Sequence, residues 1–179
     1  MRDRVPAVKT ATYSTLETLR DGRHVEIRAL RPDDQAAFAD AVSRASGRSL
    51  YRRFFTPRRS VTEQEIASFV NVDFANHVAL IAVIKEGGRS VIIGGARYVV
   101  SKPSQAEMAF AVVDAYQGQG VGTILMRHLG AIARQAGTNE LVAEVLRENI
   151  PMLRVFERSG CSPTTKRWPG VVQVTLRLC

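Results

Sequence analysis

Cysteine is scarce in this chain. Its two residues, Cys161 and Cys179, form neither a CxxC redox pair nor a zinc cluster. No apolar run approaches the ~20 residues that a membrane helix needs. The opening Met1-Arg2-Asp3-Arg4-Val5-Pro6 lacks the apolar core of a secretory signal. These absences predict a soluble, cytoplasmic protein in a reducing compartment, holding no metal. Acidic residues are also in short supply: 17 against 25 Lys and Arg, for a net charge of +8. The deficit is local. Between Ala41 and Thr62 stand six arginines (Arg44, Arg48, Arg52, Arg53, Arg58, Arg59) and no acid. Such a stretch can meet nucleic acid, an acidic protein face or the phosphates of a cofactor. Tyr51, Phe54 and Phe55 lie inside it, but no nucleic-acid recognition motif does. A solvated arginine-rich surface is therefore expected ahead of a nucleic-acid site. The three histidines, His24, His77 and His128, are scattered, and a structural role is expected for each.

What is present fits one domain. The 179 residues, 45% hydrophobic, suffice for one proper core and hardly for two. Residues 1–19 show no clear period and are expected to be a flexible lead-in. After the turn at Asp21-Gly22, His24–Leu30 alternates as a first strand. Asp33 or Asp34 can cap a helix reaching about Ser46, and Leu50–Phe55 is a short aromatic and basic segment. Thr62-Glu63-Gln64-Glu65 is a capping box for a helix to about Val70. Three apolar strands follow: His77–Ile84, Ser90–Val100 and Gln105–Val113. Gly94-Gly95 inside the second signals a bulge or a close backbone approach. A helix from about Val121 to Ala136 ends at Gly137-Thr138-Asn139. Leu141–Leu146 is a strand, and Asn149 caps a helix ending at Ser159-Gly160. Val171–Leu178 alternates as a last strand, after a turn at Trp168-Pro169-Gly170.

The centre of this order is Glu107–Gly122, where a strand feeds a loop with glycines at Gly118, Gly120 and Gly122 and the loop opens a helix. The first turn of a helix carries unpartnered N–H groups, and its dipole favours an anion. Glycines let the backbone approach that anion closely. The segment reads as a phosphate cradle. No Lys stands at the helix start, Gly122-Thr123-Ile124, which sets aside a Walker A loop. The spacing G-x-G-x-G, far along the chain, is not the G-x-G-x-x-G of a dinucleotide fold.

Gln117-x-x-Gly120-x-Gly122 resembles the acetyl-CoA loop of the GNAT superfamily of N-acetyltransferases. The order of elements from residue 20 onward is also similar to the GNAT fold. The resemblance implies a single domain over residues 20–179, of α/β (α+β) class, with a central mixed, mostly antiparallel sheet and helices on both faces. It implies acetyl-CoA as cosubstrate. Backbone N–H groups of Gln117, Gly118, Gln119, Gly120, Val121, Gly122 and Thr123 would take the phosphates. Val112 and Val113 would brace the pantetheine arm, one N–H facing the thioester oxygen. Asn149 matches a family Asn that often touches the cofactor; on its own it reads as a helix cap. Seven residues on, where many relatives carry a Tyr that reprotonates the thiolate, this chain has Phe156. The general acid is then water or absent.

Acetyl transfer also needs a neutral amine. A lysine of pKa ~10.4 is neutral in about one molecule in 2,500 at pH 7, a penalty of roughly 4.6 kcal/mol. A positioned carboxylate offsets it. Glu107 is the candidate base, because Glu107-x-x-Phe110-x-x-Val113 resembles the catalytic strand of GNAT lysine acetyltransferases. Alternation puts Glu107, Ala109 and Ala111 on one face, unless a bulge shifts the phase. The alternative for Glu107 is a solvated carboxylate or an ion pair with Arg97 or Arg147. Further stretches, Leu19-Arg20-Asp21-Gly22, Ser49-Leu50-Tyr51-Arg52-Arg53-Phe54-Phe55 and Asn71-Val72-Asp73, are similar to the acetyltransferase domain of Pat-type bacterial protein lysine acetyltransferases. That likeness implies a protein lysine acceptor, such as one on an acyl-CoA synthetase, by direct attack in a ternary complex, with no membrane partner. The alternatives are a GNAT acting on a small amine and a non-catalytic acyl-CoA- or nucleic-acid-binding module.

Overall fold

The computed structural model describes residues 7–179, so the signal-peptide reading of Met1–Pro6 lies outside the described residues. Eight strands form one sheet in the order β1-β2-β3-β4-β5-β6-β8-β7. They are β1 (Ser14–Thr18), β2 (His24–Ala29), β3 (His77–Glu86), β4 (Arg89–Lys102), β5 (Gln105–Val112), β6 (Glu140–Leu146), β7 (Pro163–Trp168) and β8 (Val171–Arg177). Every pair is antiparallel except β5 and β6, which run parallel. This is the mixed, mostly antiparallel GNAT sheet that the resemblance implied.

The helices are α1 (Ala7–Ala11), α2 (Gln35–Ser43), α3 (Gly47–Phe54), α4 (Glu63–Val70), α5 (Val121–Gln135) and α6 (Ile150–Glu157). α5 packs on the sheet face that carries Gly94, against Val121 and Leu125. α4 lies over the opposite face, where Arg97 Nη2 donates to Phe69 O at 3.2 Å. α2 joins α4 there through the rings of Phe38 and Phe69. None of these helices is long and apolar enough to cross a membrane.

Four expectations change. First, residues 7–18 are not a flexible lead-in: they form α1 and β1, and β1 pairs with β2 from Ser14↔Arg28 to Thr18↔His24. Second, Leu50–Phe55 belongs to a helix. Ser46 caps α3, its hydroxyl accepting from Ser49 N at 3.2 Å, and Phe55 ends it in a left-handed conformation (φ 59°). Third, β7 was not foreseen. Its polar sequence packs no face into the core, and it is held by backbone pairing to β8 at the sheet edge. Fourth, the arginine stretch is no uniform solvated surface. Arg44 pairs with Asp40 and donates to Ile92 O, Arg58 pairs with Glu65, and Arg53 lines an internal cleft.

Candidate functional site

Alternation along β5 survives intact. The register with β4 runs unbroken from Glu107↔Val99 to Val112↔Gly94, so Glu107, Ala109 and Ala111 share a face with Val99, Arg97 and Gly95. The bulge signalled by Gly94-Gly95 falls on β4 at Ile93, where the pairing with β3 steps from Ala82↔Gly94 to Val83↔Ile92. Gly94 also meets the close-approach expectation. A Cβ there would lie 3.1 Å from Ala111 O and 3.1 Å from Val121 Cγ1. The start of α5 therefore sits directly on the sheet.

The parallel pairing of β5 with β6 lasts only from Gln105↔Glu140 to Glu107↔Val142. Beyond it the strands part, and a cavity of about 650 Å³ occupies the gap. Residues 108–112 of β5 and Val113 beyond it line the cavity, with the α5 start on one side of the sheet and Leu50, Phe54 and Phe69 on the other. Glu107 stands at the apex, exposed, one residue before the lining begins. It makes no ion pair with Arg97 or Arg147, so that alternative is not formed.

Backbone direction follows from one bond. Val113 N donates to Ile93 O at 2.9 Å, so its N–H is committed to β4. Antiparallel pairing alternates, so Phe110 and Val112 turn their N–H groups toward the parted β6. Of the two valines singled out, Val112 therefore has its N–H toward the cleft, and Val113 is a buried core residue. Gln117 closes the strand end: its Nε2 donates to Val112 O (3.0 Å) and to Ser49 Oγ (3.2 Å). Its side chain is thus a brace between β5 and α3.

The glycine loop turns tightly into the start of α5. Gly118 (φ 77°) and Gly120 (φ 93°, the α5 cap) need left-handed conformations. Gly122 is needed for space, since a Cβ would meet Val155 Cγ2 at 3.3 Å. The first bond of the new helix is Ile124 N to Gly120 O. That leaves Val121, Gly122 and Thr123 with unpartnered N–H groups around the helix start. Gln117 differs, its N–H reaching Asp114 O at 3.3 Å. Gln119 accepts from Arg23 Nη2 at 2.7 Å. Arg20, also from the β1–β2 turn, lines the cleft, its Nε 3.5 Å from where a Gly120 Cβ would stand. Sequence reading missed these two cations, because their nearness to the loop depends on the hairpin's path.

Asn149 caps α6, its Oδ1 accepting from Met152 N at 3.4 Å, and it lines the cleft as well. Phe156 is 1% exposed and packs edge-on to Phe110, with ring centroids 5.7 Å apart. Tyr116 does not stand in for a tyrosine there. The Tyr116 hydroxyl donates to Glu86, and burial and then the Glu86 carboxylate push its pKa up. The histidines have structural partners or lie apart: His128 bonds Tyr13 and Glu17, His77 receives Arg97 Nη1, and His24 is exposed. Among the described residues no cluster of three or more His, Cys, Asp or Glu is arranged to hold a metal.

Known proteins agree with this architecture. The profile of the Acetyltransferase (GNAT) family matches residues 45–161. An acetyltransferase of Pseudomonas aeruginosa is 32% identical over 127 residues, covering 70% of this chain and 68% of the relative. Acetyltransferase Pat of Mycolicibacterium smegmatis is 33% identical over 144 residues, 79% of this chain but only 42% of Pat. The crystal structure of the GNAT domain of S. lividans PAT superposes with a TM-score of 0.82 at 33% identity, covering 92% of this chain and 97% of that domain. The Salmonella typhimurium acetyltransferase yncA, solved with acetyl-CoA, shares the fold (TM-score 0.68, 22% identity, 87% of this chain and 94% of that one). The chain belongs to the GNAT family of acetyl-CoA-dependent acetyltransferases.

Proposed function

We propose that the protein acetylates a lysine side chain of another protein, with an acyl-CoA synthetase as the leading acceptor, in the cytoplasm. The observation that carries this is the gap opened where β5 and β6 part, between Glu107 on one side and the free N–H groups of the cradle on the other. In this reading the CoA pyrophosphate rests on the N–H groups of Gly118–Thr123. Pantetheine pairs with the exposed edge of β5, and the Val112 N–H faces the thioester oxygen as charge develops on it. The amine enters over the face of Ala109 and Ala111, and Glu107 takes its proton, directly or through water. Nitrogen attacks the thioester carbonyl carbon, the C–N bond forms, and the C–S bond breaks. CoA leaves as a thiolate of pKa ~8–9, a fair leaving group without an acid, which suits Phe156. The likeness to Pat-type enzymes over nearly the whole domain supports the protein acceptor.

Transfer of a radiolabelled acetyl group to an acyl-CoA synthetase, against a panel of polyamines and aminoglycosides, tests the proposal. Label on the synthetase, lost when its reactive lysine is replaced, is the expected result. Label on a small amine alone would move the protein to the other branch of its family. A nucleic-acid role has less support, because Arg44 and Arg58 are paired with carboxylates and Arg53 lines the cleft.

A further inference from the structure

The acceptor side of the cleft holds two cations without a counter-charge. Arg97 stands on β4 opposite Ala109, on the same face as Glu107 and two residues nearer the cofactor end. Its Nη1 donates to His77 Nε2 (3.2 Å) and its Nη2 to Phe69 O (3.2 Å). Arg53 comes down from α3. Its guanidinium lies 5.0 Å from the Phe54 ring and 6.0 Å from the Phe69 ring, while Arg97 lies 4.8 Å from Phe69. Both arginines line the cleft, and among the described residues neither forms an ion pair. Burial lowers the pKa of each, Arg97 to about 10 with Arg53 adding to the effect.

Glu107 on the same face and Glu144 in the cleft lining pair with neither arginine, and other charged groups nearby are engaged elsewhere. Glu65 is held by Arg58 and by the α4 cap. Asp73 accepts from the N–H groups of Ala75, Asn76 and His77. His77 offers no negative charge, and burial and then Arg97 lower its pKa. Unpaired, desolvated cations are costly, and bidentate guanidinium recognition of a carboxylate is the usual way to offset them. Space is available too. Between Arg97 and the cofactor end of β5 the sheet face carries only Gly95, Ala109 and Ala111, none larger than a methyl.

We propose that Arg53 and Arg97 form a carboxylate subsite beside the reacting centre, filled by a substrate that brings its own anion. Two sources share this chemistry: the far carboxylate of a dicarboxylic acyl-CoA such as succinyl-CoA, and an acidic group next to the acceptor amine. The inference deepens the acyl-transfer reading and rests on it.

Two rate comparisons on the purified full chain test it. One sets succinyl-CoA against butyryl-CoA with a single lysine peptide. The other sets a lysine peptide flanked by Asp or Glu against its Asn or Gln counterpart, with acetyl-CoA. The carboxylate substrate is expected to gain about fivefold or more in kcat/KM in one comparison, which names the source. Arg53→Gln and Arg97→Gln should each erase most of that gain, and Arg97→Lys only part of it. A gain below about fivefold in both comparisons overturns the subsite, whether or not the variants fold. So does a gain that both Gln variants keep. Acetyl transfer that persists without any carboxylate preference sinks the subsite alone. If no amine is acetylated, the transfer reading fails, and the relative affinities of succinyl-CoA and butyryl-CoA then judge the subsite, equal values overturning it.

Discussion

Gly94→Ala probes the joint between sheet and cofactor cradle. The new methyl carbon would stand 3.1 Å from both Ala111 O and Val121 Cγ1. Carbon contacts are comfortable at ~3.5–4.0 Å, so each is short by about half an ångström. Ala111 O is main chain near the end of β5, where Ala111 pairs with Gly95, and cannot yield without moving the strand. The first turn of α5 therefore lifts. Overpacking of this kind costs about 1–3 kcal/mol, or roughly 3–10 °C in Tm for a chain of this length. The same shift tilts the N–H groups of Val121–Thr123 away from the phosphates, and a drop of about tenfold in CoA affinity is expected, near 1.4 kcal/mol. Thermal melting and titration calorimetry with CoA measure both. Gly47→Ala is the control, since its nearest neighbour outside the local chain is Arg58 O at an ordinary 3.8 Å. Wild-type CoA affinity in Gly94→Ala would refute the claim that α5 is seated there.

Other perturbations reach different parts of the site. Gln117→Ala removes the bonds to Val112 O and Ser49 Oγ. At about 1 kcal/mol per bond, KM for acetyl-CoA should rise about fivefold or more, with a smaller change in kcat in steady-state assays. Phe156→Tyr should leave kcat and the alkaline limb of the pH profile as they are, because the thiolate departs without an acid. Asp34→Asn strips the counter-ion from Arg28, whose Nη1 and Nη2 donate to it at 2.8 and 2.7 Å, both side chains being 11% exposed. A loss of about 3 kcal/mol or more is expected in denaturant unfolding. Burial raises the Asp34 pKa, but hydrogen bonds from Arg28 and the Arg31 N–H outweigh it, and the net direction is down. The carboxylate's contribution is therefore present above pH ~4 and lost as pH falls through the lower folded value, a limb that Asp34→Asn should lack.

The sequence carried the parts of this site that rest on local rules. The glycine spacing at 118–122 announces left-handed turns and a close helix approach, and the structure uses Gly120 for the first and Gly122 for the second. The capping signals at Thr62 and Asn149 are likewise local, and both caps form. What escaped depends on pairing at a distance. β1 and β7 sit at the two sheet edges, held by backbone bonds that leave little trace in side-chain pattern. α3 was obscured because its arginines dilute the apolar period, although Ser46 is an ordinary cap. That the Val112 N–H, and not that of Val113, turns to the cleft required the register with Ile93. Arg53 and Arg97, 44 positions apart in the chain, are neighbours only once α4 folds over β4.

The pH dependence of Glu107→Gln with a lysine substrate tests the central claim most directly. If Glu107 is the base, kcat/KM at pH 7 falls by about 10²–10³-fold. The deficit then narrows as pH climbs toward the amine's own pKa of ~10.4, where the nucleophile is neutral without help. CoA affinity should be unchanged, since Glu107 stands outside the cleft lining. A variant with the full rate and the wild-type pH profile would contradict the account.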